Sequence, residues 1–369
     1  MEKINLWLWF DNKKGLSKKN KINLYEKFEN IHNIYEATKQ DYENCGIKLS
    51  NEVIERLCIK NFDFEYLTQK YKELNIKPVS IDMEEYPKML KDTGEAPVVI
   101  YCRGKFIDLN KKMCVSVVGA RKLSVYGKTH GYNISKQMAQ KGAIIVSGMA
   151  YGIDTMAHLG ALDADMPTVA VLGCGPDVVY PASNRKLMER IMKTGMIISE
   201  YPLGTPAHNY NFPERNKIVA GLSIATIVIE ASIKSGSLIT AELAEKYKRK
   251  VFSVPGNIDE EHSKGTNYLI KKGAGLITCG DDVINSFPEH KDKLIKEEIQ
   301  TNDYNDMKNV SPEENKILSC LGKQPVSIDY ICEKSGIDIA VLNSKLLIME
   351  LQGKIEKHPG NRYSKEGRI

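Results

Sequence analysis

The feature that most constrains this chain is a strand–turn–helix pattern that occurs twice between residues 114 and 154. The apolar runs 115–118 and 143–146 each end in a turn of small residues, Gly-Ala-Arg in the first and Ser-Gly-Met in the second. A helix that begins after such a turn presents free backbone amides to an anion. Gly119 allows a close approach to the backbone, and Arg121 adds a planar, permanently charged fork that matches phosphate oxygens. The pattern therefore predicts an anion site at the carboxyl edge of a parallel sheet.

Apolar strands alternate with helical segments from about residue 112 to 287, and this alternation predicts a doubly wound, mostly parallel α/β sheet. Residues 1–75 carry apolar positions such as Leu24 and Ile31 at helical spacing, which predicts a helical module.

Residues 288–310 are charged and predict a linker. Residues 311–369 predict three helices and a hairpin, opened by Ser311 and Pro312 as cap and first residue. Such a winged unit binds DNA or contacts proteins, and both interpretations remain open. The predicted strands lie near 114–118, 143–147, 168–172, 196–199, 224–230, 250–254 and 275–278.

Composition narrows the class of protein. Hydrophobic residues make up 42% of the chain and charged residues 27%, as in globular proteins with a sizeable core. No run of 18 apolar residues is present, so we expect no membrane span. Eight cysteines without a C-x-x-C pair predict reduced thiols in the cytoplasm. The histidines show no ligand spacing, so we expect neither a metal site nor a cofactor, and a net charge of +5 suits an anionic partner.

A third anion turn is predicted at the sequence KSGS, where Lys234, Ser235 and Gly236 precede a helix and Ser237 is placed to cap it. The alternative is a plain capped helix with a surface lysine. In the turn SGMAYGID, Asp154 is placed to cap the next helix, and His158 on that helix suggests a buried structural hydrogen bond rather than catalysis.

The sequence NYNFPERN supplies further candidates. Arg215 and Asn216 predict either a salt bridge at a helix start or a second cation for phosphates. Tyr210 and Phe212 are either core aromatics or stacking platforms for bases. The P-loop pattern is absent, and no serine is coupled to a particular histidine as a nucleophile. Several anion turns with aromatics between them favour single-stranded nucleic acid as the ligand.

Six motifs in order closely resemble the DprA/Smf family of DNA-processing proteins, and the resemblance covers residues 80–280 nearly continuously. The resemblance implies an extended Rossmann-like core at 80–287, flanked by a SAM-like helical module at 1–75 and a winged-helix module at 311–369. It also implies that the protein binds and protects single-stranded DNA, loads the RecA recombinase during natural transformation, and forms a homodimer. The motifs are GARKLSVYG, SGMAYGIDTMAH, VLGCGPDVVYPASNRKL, ISEYPLGTPAHNYNFPERNKIVAGLS, EASIKSGSLITA and VPGNI with GTNYLIKKGA.

Carried over by motif, the resemblance implies that Phe212 stacks on a base and that ten residues contact phosphates. This chain has Tyr151 where many members have Lys or Leu, and Ala182 where many have Lys. Arg185 and Lys186 are candidates to replace the lost charge. The implied phosphate contacts are Gly119, Arg121, Ser124, Ser147, Gly148, Arg215, Asn216, Lys234, Ser235 and Gly236.

Two other functions are alternatives to the binding of single-stranded DNA. One is a Rossmann-like phosphoribohydrolase, which would carry a P-G-G-x-G-T-x-x-E motif with a catalytic carboxylate. Here the matching turn reads SIKSGSLITAE, which breaks the pattern, although Glu242 follows six residues after Gly236. The other is a regulator that binds duplex DNA through residues 311–369.

Overall fold

The computed structural model describes residues 2–294, 312–322, 324–351 and 355–365. The chain divides into two compact units, Met1–Lys296 and Glu297–Ile369. Residues 288–293 of the predicted linker form a short 3-10 helix, and positions 295–310 of that linker lie outside the described residues, as does the predicted cap Ser311.

A nine-stranded sheet forms the centre of the first unit, in the order β1-β2-β6-β5-β4-β3-β7-β8-β9. Strands β3 to β9 pair in parallel, whereas β1 and β2 add an antiparallel edge next to β6. The predicted α/β class with a mostly parallel sheet is thus confirmed. The strands are β1 (Ile76–Ser80), β2 (Val99–Gly104), β3 (Cys114–Val118), β4 (Ile144–Ser147), β5 (Thr168–Leu172), β6 (Met196–Ser199), β7 (Ala225–Val228), β8 (Lys250–Ser253) and β9 (Gly275–Leu276).

The order of strands reverses between β3 and β7. From β3 the chain runs outward through β4, β5 and β6, and it then returns to β7, which pairs with β3 on its other side. Helices leaving β3 and β7 therefore diverge to opposite faces, which opens a crevice at the carboxyl ends of these two strands. Every residue of β3, β4, β5, β6 and β7 is buried, as expected for a sheet covered on both faces.

Fourteen helices are described in the first unit, and most of those after β3 cover the sheet. They are α1 (Lys3–Asp11), α2 (Lys18–Phe28), α3 (Ile31–Glu36), α4 (Lys39–Asn44), α5 (Asn51–Cys58), α6 (Phe64–Glu73), α7 (Lys88–Lys91), α8 (Val125–Gln140), α9 (Ile153–Leu162), α10 (Arg185–Thr194), α11 (Asn211–Gly221), α12 (Gly236–Lys246), α13 (Glu261–Lys271) and α14 (Gly280–Ile284).

Helices α1 to α6 share a hydrophobic core with the edge of the sheet. Trp7 and Trp9 are fully buried in the same cluster as Val99 and Tyr101 of β2. The ring of Tyr71 on α6 stacks on Tyr101 at 5.6 Å between centroids. The helical region and the sheet therefore belong to one compact unit.

The second unit contains α15 (Pro312–Cys320), α16 (Ile328–Ser335) and α17 (Ile339–Leu351) with a small sheet of β10 (Val326–Ser327), β12 (Arg362–Lys365) and β11 (Ile355–His358). Ile317, Ile331, Leu342 and Leu346 form its buried core. This is the predicted winged-helix arrangement of three helices and a hairpin. Over the part of the chain that the structure describes, every helix is too short or too polar to cross a bilayer.

His158 joins α9 to β5, as the sequence predicted for a structural histidine. Its Nδ1 lies 2.8 Å from Thr168 Oγ1, and that hydroxyl donates to the Ile145 carbonyl, so His158 Nδ1–H is the donor. The ring is fully buried, and burial together with Arg215 lowers the pKa of His158 from 6.5 to about 3.

We expect this buried neutral histidine to destabilise the protein in mild acid. The unfolded chain binds a proton at His158 below about pH 6.5 whereas the folded protein does not, so stability falls as the pH drops from 6.5 towards 3. Between pH 7.5 and 5.5 the loss amounts to about 1.4 kcal/mol. Urea unfolding of the wild type and of His158→Asn at both pH values measures it. Equal pH dependence in the two proteins would contradict the assignment.

Because the helical region shares its core with the sheet, Trp7→Ala should lower the free energy of unfolding of the whole first unit by about 3–5 kcal/mol. Circular dichroism should show one transition that moves as a whole. Tyr66→Ala on α6 is the control, because Tyr66 is 57% exposed and its loss should change stability by less than about 0.5 kcal/mol. An early transition confined to the helices, with an unchanged sheet, would disprove the shared core.

Candidate nucleic-acid interface

A cavity of about 500 Å³ opens at the carboxyl ends of β3 and β7, where the strand order reverses. We call it the switch-point cavity. It is lined by the turn after β3, the N-terminus of α12, the start of α11 and the turn after β4. It brings together seven of the eleven predicted site residues: Gly119, Arg121, Phe212, Arg215, Asn216, Ser235 and Gly236. Gly148 lines a smaller cavity that shares Arg121, Phe212 and Arg215 with it.

The turn after β3 is held rigidly by its neighbours. Ala120 N donates to the Glu230 carbonyl at the end of β7, and Ile153 N at the start of α9 donates to the Ala120 carbonyl. A Cβ at Gly119 would lie 2.6 Å from Ile153 Cγ1 and 2.9 Å from Glu230 O. Close packing against Ile153 thus requires the glycine, whereas the sequence pattern predicted that it serves the approach of an anion.

Arg121 is the exposed cation of this turn. Its guanidinium carbon lies 5.4 Å from the centre of the Phe212 ring, and among the described residues it has no carboxylate partner. Lys122 also lines the cavity and is exposed, again without an acidic partner in the described part of the chain. These two charges are therefore available to an anionic ligand.

Ser124 is not brought to the switch-point cavity. Its hydroxyl caps α8 by accepting from Gly127 N at 3.0 Å and donates to the carboxylate of Glu230, which also accepts from Ser124 N at 3.1 Å. A hydroxyl bonded to a buried carboxylate is not free to donate to a phosphate. This corrects the expected phosphate contact of the Ser124 side chain.

The turn after β4 is filled by the protein itself. Ser147 is fully buried and its hydroxyl donates to the Val117 carbonyl at 2.6 Å. The amides of Gly148 and Ala150 donate to Asp154 Oδ2 at 3.1 and 3.3 Å. Asp154 therefore binds this turn instead of capping α9, whose N-cap is Gly152. The expected phosphate contacts of the Ser147 side chain and of the Gly148 amide are corrected accordingly.

Arg215 is a buried structural cation, only 4% exposed. Its Nη1 donates to the carbonyls of Gly148 and Val171, and its Nε donates to Asn216 Oδ1 at 3.1 Å. A Cβ at Gly148 would lie 2.5 Å from the guanidinium, so only glycine leaves room for it. Arg215 is thus neither the surface salt bridge nor the free second cation that the sequence suggested.

Arg215 and Asp154 both line the cavity, and the charge of each affects the pKa of the other. Burial raises the pKa of Asp154, and the positive charge of Arg215 opposes that rise. Burial likewise lowers the pKa of Arg215, against the favourable charge of Asp154. Each of the two groups therefore favours the charged form of the other.

The N-terminus of α12 remains open to an anionic ligand. Ser235, rather than Ser237, caps this helix by accepting from Ser237 N at 3.3 Å, and the two hydroxyls lie 2.7 Å apart. No atom lies within 4 Å of the position of a Cβ on Gly236, so a ligand can reach this backbone. The side chain of Lys234 is exposed beside it, outside the residues that line the cavity. A helix N-terminus next to lysine attracts anions.

Phe212 is half-buried and its surroundings are crowded. The Tyr180 ring lies 5.2 Å away, and the guanidinium carbon of Arg215 lies 5.9 Å from the ring centre. Tyr210, by contrast, is 70% exposed and stacks on His208 at 5.1 Å with an interplanar angle of 10°. Tyr180 was missed by the sequence analysis, although it lies in the motif GCGPDVVYP at the end of β5.

Among the described residues no group of three or more His, Cys, Asp or Glu side chains is placed to hold a metal ion. Asp154 is the one acidic residue among the described residues that line the switch-point cavity. Exposed cations, an open helix N-terminus and aromatic rings thus surround this cavity, and its single carboxylate is bonded to backbone amides.

Family models match this chain in both of its compact units. The family model of DNA recombination-mediator protein A matches residues 77–288, and that of the DprA winged helix domain matches residues 306–361. Protein Smf of Synechocystis is 31% identical over 97% of this chain and 98% of its own. DNA processing protein DprA of Streptococcus pneumoniae is 42% identical over 55% of this chain and 71% of its own.

Two solved structures resemble this fold. DNA processing protein A from Streptococcus pneumoniae is 35% identical with a TM-score of 0.69, covering 77% of this chain and 98% of that one. The Helicobacter pylori protein, whose structure is described as giving insight into a unique single-stranded DNA binding mode, is 33% identical with a TM-score of 0.53, covering 58% and 97%. The sequence resemblance is thereby confirmed: the chain belongs to the DNA recombination-mediator protein A (DprA/Smf) family.

Proposed function

We propose that this protein binds single-stranded DNA at the switch-point cavity and acts as a mediator without catalytic activity. The proposal rests mainly on one observation: exposed cations that have no carboxylate partner among the described residues lie around an open helix N-terminus. Arg121 and Lys122 lie on one side of the cavity, and Lys234 flanks the N-terminus of α12 on the other. The Helicobacter pylori relative, described with a single-stranded DNA binding mode, supports the same ligand class.

Two kinds of hydrogen-bond donor, a charged side chain and a helix N-terminus, are available to a nucleic-acid backbone. Arg121 can bind two oxygens of one phosphate through its fork, while the N-terminus of α12 adds partial positive charge that costs no side-chain entropy. Asp154 and Arg215 fix the floor through their hydrogen bonds to backbone groups. Ser124 and Ser147 are excluded from the proposed phosphate contacts because their hydroxyls are already bonded.

Aromatic rings at the rim favour a single strand over a duplex. Tyr180 and Tyr210 are 40% and 70% exposed, and a ring can stack on a base only when that base has left a duplex. Phe212 remains a proposed stacking residue, although Tyr180 and the two arginines lie close to its ring.

Protection of the strand, its delivery to the RecA recombinase and homodimer formation are proposed from family membership. No residue of this chain is assigned to the RecA contact or to the dimer interface. The proposal places the DNA-binding step in the first unit and leaves the recombinase contact to surfaces that the switch-point cavity does not use.

The hydrolase alternative lacks its carboxylate. One helical turn after Gly236 the residue lining the cavity is Thr240, and Glu242 is exposed elsewhere on α12. Asp154 has an oxygen bonded to two backbone amides and faces Arg215. A carboxylate held in this way is poorly placed to act at a sugar carbon, which supports a binding function.

The winged-helix regulator is disfavoured by the composition of α17. Leu342, Leu346 and Met349 of this helix are fully buried in the core of the second unit, and Val341 is 45% exposed. A helix that reads base edges needs several outward polar side chains. We propose that this unit contacts protein or adds weakly to DNA binding.

Arg121→Ala should weaken binding of a single-stranded oligonucleotide by about 1.5–3 kcal/mol, because a charge-assisted hydrogen bond to phosphate is lost. The slope of log K against log salt should fall by about 0.7. Fluorescence anisotropy across a salt series measures both quantities.

Arg190→Ala is the matched control, because Arg190 pairs with Asp163 at 2.7 Å on the surface between α9 and α10. Its affinity for the strand should equal that of the wild type. If Arg121→Ala stays folded and keeps both its affinity and its salt slope, phosphate binding at the switch-point cavity is refuted.

A further inference from the structure

Three exposed tyrosines follow three neighbouring strands of the sheet. Tyr151 comes after β4, Tyr180 after β5 and Tyr210 after β6. These strands are adjacent and parallel, with Ser147 paired to Ala170 and Leu172 paired to Ser199 near their ends. Adjacent strands lie about 4.8 Å apart, and the carboxyl ends of parallel strands meet at one edge. The tyrosines therefore form a row along the same edge that carries the switch-point cavity.

We propose that Tyr151, Tyr180 and Tyr210 form a base-stacking track that holds single-stranded DNA beside the switch-point cavity, along the carboxyl ends of β4 and β5. The inference rests on the proposed function and adds the residues that hold the bases. We call this row the tyrosine track.

The track is continuous with the phosphate site. Tyr151 and Tyr180 line the small cavity that also contains Arg121 and Phe212, and the Tyr180 ring packs against Phe212 at 5.2 Å. Tyr210 lies between Asn209, which lines the switch-point cavity, and Asn211, whose Nδ2 donates to the Gly173 carbonyl at the end of β5. All three rings thus lie next to residues that line the two cavities around Arg121.

The three rings are partly exposed to solvent, although Tyr180 and Tyr210 each contact one neighbouring ring. Their exposed fractions are 50% for Tyr151, 40% for Tyr180 and 70% for Tyr210. Within the described part of the chain none of the three hydroxyls forms a hydrogen bond. Tyr126, a similarly exposed tyrosine of the same unit, instead donates its hydroxyl to the Pro255 carbonyl. The stacked pair of Tyr210 and His208 leaves the outer face of the tyrosine ring for a base.

Cations accompany the track where phosphates would lie. Arg185 and Lys186 begin α10, a few residues after Tyr180, and both are exposed. Neither has an acidic partner among the described residues. Stacking rings next to unpaired cations are the combination that binds single strands with little dependence on sequence.

The test uses the full-length chain and two fluorescein-labelled strands of about 12 nucleotides, one of deoxythymidine and one with the same backbone but no bases. Tyr151→Ala, Tyr180→Ala and Tyr210→Ala should each weaken binding of the deoxythymidine strand about 5-fold to 150-fold. Their affinity for the abasic strand and their salt slopes should not change, because no charge is removed. Tyr180→Phe should restore binding, since it keeps the ring.

Tyr66→Ala is the matched control, an exposed tyrosine on α6 away from this edge, and should bind both strands like the wild type. Alanine variants that melt like the wild type and keep full affinity for the deoxythymidine strand overturn the track. Equal losses on both strands also overturn it, as does loss of binding by Tyr180→Phe. If Arg121→Ala weakens both strands while the tyrosine variants weaken neither, the track fails and the phosphate site stands. If the wild type binds neither strand, the proposed function fails as well.

Discussion

The buried guanidinium of Arg215 ties together the parts of the site. From α11 it donates to the carbonyl of Gly148 after β4 and to that of Val171 in β5, and its positive charge opposes the rise in the pKa of Asp154 on α9. A buried charge of this kind is stable only when it is paired and hydrogen-bonded. Gly148 leaves the space that the guanidinium needs. The floor of the switch-point cavity is therefore fixed by buried hydrogen bonds to backbone groups.

Because Asp154 binds the turn after β4, this predicted anion turn is closed to a ligand. The amides of Gly148 and Ala150 are used inside the protein, whereas the N-terminus of α12 and the side chains of Arg121 and Lys122 face the cavity. Structural and functional charges are thus separated: Arg215 holds the fold, and Arg121 is available to the ligand. Loss of Arg215 would remove its bonds to the carbonyls of Gly148 and Val171, so we regard it as a positioning residue.

Much of the fold could be predicted because the inner strands are short runs of buried apolar residues. β3, β5 and β6 lie where the sequence places them. β1 was missed, because its sequence IKPVS combines a lysine and a proline at the sheet edge and lacks the signal of an inner strand. The core that α1 to α6 share with the sheet was not predictable either, because it depends on contacts between distant segments such as Tyr71 and Tyr101.

The grouping of the site could be predicted for a simple geometric reason, since loops after parallel strands meet at one edge. The bonding partner of each side chain could not be predicted. Whether Ser124 meets a phosphate or Glu230, and whether Asp154 caps a helix or fills a turn, is decided by elements far apart in the chain. The sequence shows which residue types reach the edge, and only the packed structure shows which of them remain unpaired.

The most direct test of the central claim compares a single strand with the duplex of the same sequence. Fluorescence anisotropy over a series of salt concentrations would give the affinity and the salt slope for each. We predict tighter binding of the single strand at every salt concentration, because exposed bases can stack on the rings beside the cavity and paired bases cannot. Equal or tighter binding of the duplex would contradict the account.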